Sequence, residues 1–268
     1  MINLETIKKV STNWFENKPF PHFVVDDFFE IDIAKDLESE FPSFDDKVWH
    51  EYGNDLEVKK VCNNWNEFPK KTYEVFSYFN SIQFVEFLSN TLFKKRKLYC
   101  DSGLNGGGWH IHSRGGKLNT HLDYSLHPKL SLERKLNIIV YLNSEWESKW
   151  GGHLGLWDNQ SADAPGKLIK EIEPKFNRAV IFDTTMNSWH GLPNPLECPE
   201  NQFRKSLAIY YLTEPSVNVN ERGKALFSPT EKQQNDIEVL EFIKKRSSVK
   251  TAKSVYLKKN KSHTDSSI

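Results

Sequence analysis

Thr120-His121-Leu122-Asp123-Tyr124 decides the reading of this chain, and His190 follows 67 residues after its carboxylate. Side chains on an extended strand alternate with a period of two, so His121 and Asp123 point to the same side. A second element must then bring His190 across the fold. Two imidazoles and one carboxylate can occupy one face of an octahedral Fe(II) and leave the opposite face open. Arg204-Lys205-Ser206 comes fourteen residues after His190 and repeats the period-two spacing. A guanidinium is a two-pronged donor that suits a carboxylate better than an ammonium does. Arg204 and Ser206 are therefore candidate anchors for the far carboxylate of a 2-oxo acid.

An isolated His-x-Asp pair is common on surface turns, and alone it reads as one. Three neighbouring features turn that balance. Trp189-His190-Gly191 closes a segment that begins with Arg178-Ala179-Val180-Ile181-Phe182. Arg204 and Ser206 open the next strand. Tyr141 lies on the face of strand 135–143 opposite Leu136, Ile138, Val140 and Leu142, where its hydroxyl can donate to the carboxylate held by Arg204.

Outward from these motifs the chain divides in two. Residues 1–97 read mainly as a helical layer. Leu4, Ile7, Val10 and Trp14 mark a short helix, and a strand runs through Phe23-Val24-Val25. Ile33, Leu37 and Phe41 mark a second helix, stopped by Pro42. The spacing of Val75, Phe79, Ile82, Val85 and Leu88 predicts one longer helix from Lys71 to about Phe93. From about 98 to 215 the pattern changes to short strands punctuated by Gly106-Gly107-Gly108, Gly115-Gly116 and Gly151-Gly152, which indicates a barrel or jelly roll. A helix is expected over about 229–243. Residues 244–268 hold eight Lys or Arg against one Asp and read as a basic, disordered tail.

Composition narrows the function classes. The 268 residues are 38% hydrophobic and 13% aromatic, enough for a sizeable core, read as one domain over 1–243. Lys+Arg and Asp+Glu both number 36, so no global field draws nucleic acid or an anionic membrane. The three cysteines form no CxxC pair, which argues against a disulfide scaffold. No apolar run approaches the roughly 20 residues that cross a bilayer, and the start shows no signal-peptide pattern. The expectation is a soluble, cytoplasmic protein.

From 106 to 213 the chain resembles the prolyl 4-hydroxylase-like branch of the 2-oxoglutarate/Fe(II) oxygenases, including bacterial and phage relatives. The resemblance rests on Gly106-Gly107-Gly108-Trp109-His110, Thr120-His121-Leu122-Asp123, Leu136-Asn137-Ile138-Ile139-Val140-Tyr141-Leu142-Asn143, Trp150-Gly151-Gly152, Trp189-His190-Gly191 and Arg204-Lys205-Ser206, in family order. It implies a mainly β fold with helical additions, a double-stranded β-helix (jelly-roll, cupin-like) core packed by N-terminal helices. It implies Fe(II), 2-oxoglutarate and O2, with ascorbate as a frequent companion, and hydroxylation with release of succinate and CO2. Carried over by position, His121, Asp123 and His190 are the metal ligands and catalytic centre. Arg204 holds the distal carboxylate, with Tyr141 and Ser206 beside it. Prolyl hydroxylases of this branch often place a Tyr about ten residues before the first ligand. Here His112 stands in that region, as a cosubstrate or substrate contact, and the departure leaves the substrate open. A peptidyl prolyl residue and a small or sugar-containing molecule are both compatible with these residues, as is any oligomeric state; the intact triad with Arg204 disfavours the third reading, a non-catalytic jelly-roll binding module.

Overall fold

The computed structural model describes residues 1–251 except 95, 162, 185, 186, 221 and 249; the end of the basic tail lies outside the described residues. Helix α2 (Ile31–Ser39) turns Ala34 and Leu37 inward as its pattern dictates, and α3 (Lys70–Phe79) buries Val75, Phe76 and Phe79. Helix α1 (Leu4–Val10) buries Ile7 but leaves Val10 exposed, and Trp14 is buried in a separate short turn after it. The single helix expected from 71 to 93 is instead two, because α4 (Ile82–Phe93) starts anew at Ser81. The Ser81 hydroxyl accepts from Phe84 N at 3.2 Å, an N-cap that competes with helix continuation. Asn80 closes α3 by donating to Phe76 O at 2.8 Å.

Among the described residues, two antiparallel sheets face each other. The larger has nine strands. These are β1 (His22–Val25), β2 (His50–Gly53), β3 (Glu57–Cys62), β4 (Tyr99–Cys100), β5 (Gly108–His112), β6 (Lys117–Leu118), β8 (Glu133–Tyr141), β11 (Ala179–Asp183) and β13 (Arg204–Thr213). The smaller has five: β7 (His121–Leu122), β9 (Leu154–Ser161), β10 (Ala164–Ile172), β12 (His190–Gly191) and β14 (Leu226–Phe227), in the order β10-β9-β12-β7-β14. The fold is thus mainly β with helical additions, a jelly roll. The strand expected through Phe23-Val24-Val25 is β1, but the region before residue 98 is otherwise less helical than its pattern suggested, since β2 and β3 also join the large sheet. The C-terminal helix α5 (Ile237–Ser247) begins later than 229 and takes in the first basic residues after 243.

Strand alternation divides the work of the large sheet. Leu136, Ile138 and Val140 of β8 and Leu207, Ile209 and Tyr211 of β13 pack under the helices with Phe76, Phe79, Phe84 and Leu88. Burying each such side chain stabilises the fold by roughly 1.5–3 kcal/mol. The opposite face carries Asn137, Ile139 and Tyr141, and Arg204, Ser206, Ala208 and Tyr210. Register aligns these as Tyr141 with Ser206, Ile139 with Ala208, and Asn137 with Tyr210. Polar residues therefore line the space between the sheets, while Phe20, Leu154, Leu156, Val180 and Phe182 seal one side of it. The close approach of β5 to its neighbours requires glycine: a Cβ on Gly108 would meet Cys62 O at 2.1 Å, at a φ of +92°. No helix among the described residues is long and apolar enough to cross a membrane, and Cys62, Cys100 and Cys198 are free thiols.

Candidate active site

His121 and His190 are paired directly across β7 and β12. That register brings their ring centres to 4.4 Å, inclined at 48°. Asp123 follows β7 and reaches both: Oδ1 lies 4.0 Å from His121 Nε2, and Oδ2 lies 3.8 Å from His190 Nε2. All three side chains are buried, with ligand atoms within 4.8 Å of one another, close enough to share one ion after small rotations.

Backbone carbonyls orient both imidazoles. His121 Nδ1 bonds Asn119 O at 3.0 Å, and His190 Nδ1 bonds Ser188 O at 2.8 Å. A carbonyl only accepts, so the proton belongs on Nδ1 and the Nε2 lone pair faces the triad centre. Burial, and for His121 the neighbouring His190, lowers both histidines from their ordinary value and favours neutral rings. Burial alone would raise Asp123, but the nearby Arg134 charge, with the two imidazoles, overrides it and holds the carboxyl below its usual range.

Arg134 carried no functional signal in the sequence. Its Nη1 is 3.2 Å from Asp123 Oδ1. The guanidinium is clamped between the rings of Tyr124 and Tyr210, 3.4 and 3.5 Å from their centres. It holds one carboxylate oxygen and leaves Oδ2 buried with no hydrogen-bond partner. Two neutral imidazoles beside an unpartnered buried carboxylate oxygen are a donor set suited to a divalent transition metal such as Fe(II).

The second cluster has the opposite need. Arg204 opens β13 opposite His112 of β5. Its Nε donates to Gly152 O at 2.7 Å, and no carboxylate among the described residues pairs with this buried guanidinium. Gly152 makes that contact possible: at a φ of +74°, an added Cβ would come within 2.9 Å of Arg204 Cδ. The guanidinium carbon lies 4.8 Å from the Tyr141 ring centre. The Tyr141 hydroxyl and both His112 ring nitrogens are buried without partners. Burial raises the Tyr141 phenol and, with Arg204 and Lys59, keeps His112 well below its ordinary value, so Tyr141 stays a neutral donor. An uncompensated buried guanidinium is costly, and a small dicarboxylate such as 2-oxoglutarate suits it. Ser206 lies two positions along β13 on the same face, between His110 and Tyr141. Asn137, further along the same face, has neither amide atom satisfied. The histidine pair His110 and His112 does not join the triad. His127 is buried, and its Nδ1 accepts from Lys129 N and Leu130 N at 3.2 and 3.1 Å.

Comparison with known proteins agrees with this arrangement. Residues 107–212 match the family model described as the 2OG-Fe(II) oxygenase superfamily. The prolyl 3-hydroxylase OGFOD1 of Mus musculus is 29% identical over 86 residues, which are 31% of this chain and 15% of that protein. The Xenopus laevis OGFOD1 is 32% identical over 63 residues, covering 24% and 12%. The chain thus spans only a small part of these relatives. A prolyl-4-hydroxylase of Pseudomonas putida superposes with a TM-score of 0.57 at 14% identity, over 78% of this chain and 100% of that one. A Trichoplax adhaerens prolyl hydroxylase, solved with a hypoxia inducible factor peptide fragment, gives 0.56 at 15% identity, over 78% and 90%. At such identities the likeness is one of fold. Residues 107–212 thus carry the match to the 2OG-Fe(II) oxygenase superfamily, and the chain shares the fold of the Pseudomonas putida prolyl-4-hydroxylase.

Proposed function

We propose that the chain is a 2-oxoglutarate- and O2-dependent hydroxylase in which His121, Asp123 and His190 hold Fe(II). The observation that carries this reading is the convergence of two lone-pair-presenting imidazoles on an unpartnered Asp123 oxygen, with an unpaired guanidinium in the same inter-sheet space. Iron, when bound, would supply the oxidising chemistry by activating O2 with 2-oxoglutarate as co-reductant. The protein's own groups do the rest. The two carbonyls keep both Nδ1 protons in place and both Nε2 atoms aimed. Arg134 keeps Asp123 ionised and pointed. Arg204, with Tyr141 and His112 as neighbouring donors and Ser206 alongside, orients the cosubstrate by its distal carboxylate. Phe182, edge-on to His190 at 4.8 Å, helps keep water from the centre. Ascorbate would serve to keep the metal reduced.

A peptidyl prolyl residue is the favoured substrate, because the curated relatives and the structural neighbours named above are prolyl hydroxylases. His112, near where that branch often carries a tyrosine, favours a second reading, the same chemistry on a small molecule. The free cysteines suit a cytoplasmic setting.

Succinate formation with Fe(II), 2-oxoglutarate and ascorbate tests the chemistry, with and without prolyl peptides, followed by mass analysis of products. Turnover dependent on His121 is expected. No turnover, together with unchanged metal content in His121→Ala, would leave a non-catalytic binding module.

A further inference from the structure

The segment after residue 225 lies outside the family match, yet it reaches the metal centre. β14 adds to the edge of the small sheet with Phe227 paired opposite His121. The phenyl ring stacks on the His121 imidazole, with centres 4.9 Å apart and planes 17° from parallel. Arg246 of α5 places its guanidinium carbon 4.2 Å from the Phe227 ring centre. The same Arg246 is paired with Glu57 of β3, which is 2% exposed and holds Lys59 through its other oxygen at 3.2 Å. Val239 of α5 and Leu56 complete the apolar seat around Phe227. The turn that carries His121 is fastened as well. Asn119, whose carbonyl bonds His121 Nδ1, donates through Nδ2 to Ser228 O at 3.2 Å and Gln233 Oε1 at 2.7 Å.

We propose that Phe227 is a positioning residue for His121 and that residues 226–246 are a working part of the metal centre. This inference rests on the reading that the triad holds Fe(II). A flat ring against the imidazole face blocks rotation about the His121 side chain and excludes water from that side. Arg246 and Glu57 in turn fix the phenyl plane. The effect is one of aim: the backbone bond to Asn119 sets the tautomer, and the stacked ring holds the tilt. Groups that orient a ligand in this way commonly influence metal affinity by about 10–100-fold.

The test uses the full chain, with Co(II) as the probe, read by titration and by its visible absorption. Phe227→Leu keeps apolar bulk but removes the flat ring; it should weaken Co(II) binding about tenfold and alter the absorption spectrum. Phe227→Tyr keeps the ring and should stay near wild type. Arg246→Met, which frees the phenyl plane, should weaken binding by a smaller factor. Unchanged affinity and spectrum in folded Phe227→Leu would overturn the inference, as would equal losses in Phe227→Leu and Phe227→Tyr. Should Phe227→Leu fail to fold, Arg246→Met decides: weakened binding supports the inference and unchanged binding overturns it. His121→Ala separates the underlying reading, because Co(II) binding that survives it removes the triad itself and not merely its support.

Discussion

The triad and the Arg204 cluster share one inter-sheet space and are finished to different degrees. At the triad, the chain supplies nearly every supporting contact: carbonyls fix the imidazoles, and Arg134 and its two tyrosines fix Asp123. At the other cluster, Arg204 has one bond to a carbonyl, while Tyr141 and His112 have none. On the proposed function, the first would be a preorganised cage for a cation, and the second a set of donors that becomes satisfied when an anion arrives. A permanent ligand and a consumed one call for these two designs, since a co-reactant that leaves every cycle must find its partners uncommitted.

The contrast can be broken first at Asp123. Asp123→Asn should reduce iron-dependent succinate formation more than a thousandfold and empty the site by metal analysis; near-normal turnover would remove Asp123 from the cage. The asparagine is preferable to alanine because its amide oxygen can still accept from Arg134 and its shape fills the same space, while the charge needed for the metal is lost. Retained turnover in either variant would also deny the triad its role. Next comes Arg204→Ala, expected to raise the 2-oxoglutarate concentration for half-maximal turnover about a hundredfold, or ~3 kcal/mol, through loss of charged hydrogen bonds. An unchanged requirement would place the anchor elsewhere.

Proton uptake probes both ends together. Burial lowers His22, His112, His121 and His190 from the ordinary value, and His110 to about 3. The unfolded chain therefore binds more protons below pH about 6.5, and stability falls as pH falls from there. The metal-free protein should lose more than about 1.4 kcal/mol per pH unit between pH 6 and 5, measured by urea denaturation. His112→Gln should reduce that slope, and an unaltered slope would mean that His112 is charged in the folded state. The smallest effect belongs to Tyr141→Phe. One neutral donor is worth about 1 kcal/mol, so the 2-oxoglutarate requirement should rise about fivefold while metal affinity holds. A loss of metal instead would show that the two clusters are not separable.

Much of this was legible because strands write their faces into the sequence. The alternation of Asn137, Ile139 and Tyr141 with Leu136, Ile138 and Val140 separates pocket from core without any coordinates. The His-x-Asp spacing likewise anticipates that His121 and Asp123 face one way. What escaped depends on contacts between distant segments. Arg134 looks like any charged residue at a strand start until Tyr124 and Tyr210 enclose it. Phe227 lies in a two-residue strand, too short for any period to register, and its meaning comes from β7 across the sheet edge. The break between α3 and α4 did have a local signal in Asn80-Ser81, overridden by an apolar stripe that continues in phase across the cap.

The direct opposition of His121 and His190 has a chemical corollary. Their bite is set by the spacing of two hydrogen-bonded strands, a length that the backbone holds nearly constant. If the triad holds a metal as proposed, ions of different radius would then be accommodated chiefly by the carboxylate, the one donor outside the ladder and on a side chain able to pivot. Discrimination among divalent ions at this centre would accordingly be tuned through Asp123 and the tyrosine-gripped cation behind it, while the two imidazoles act as a fixed gauge.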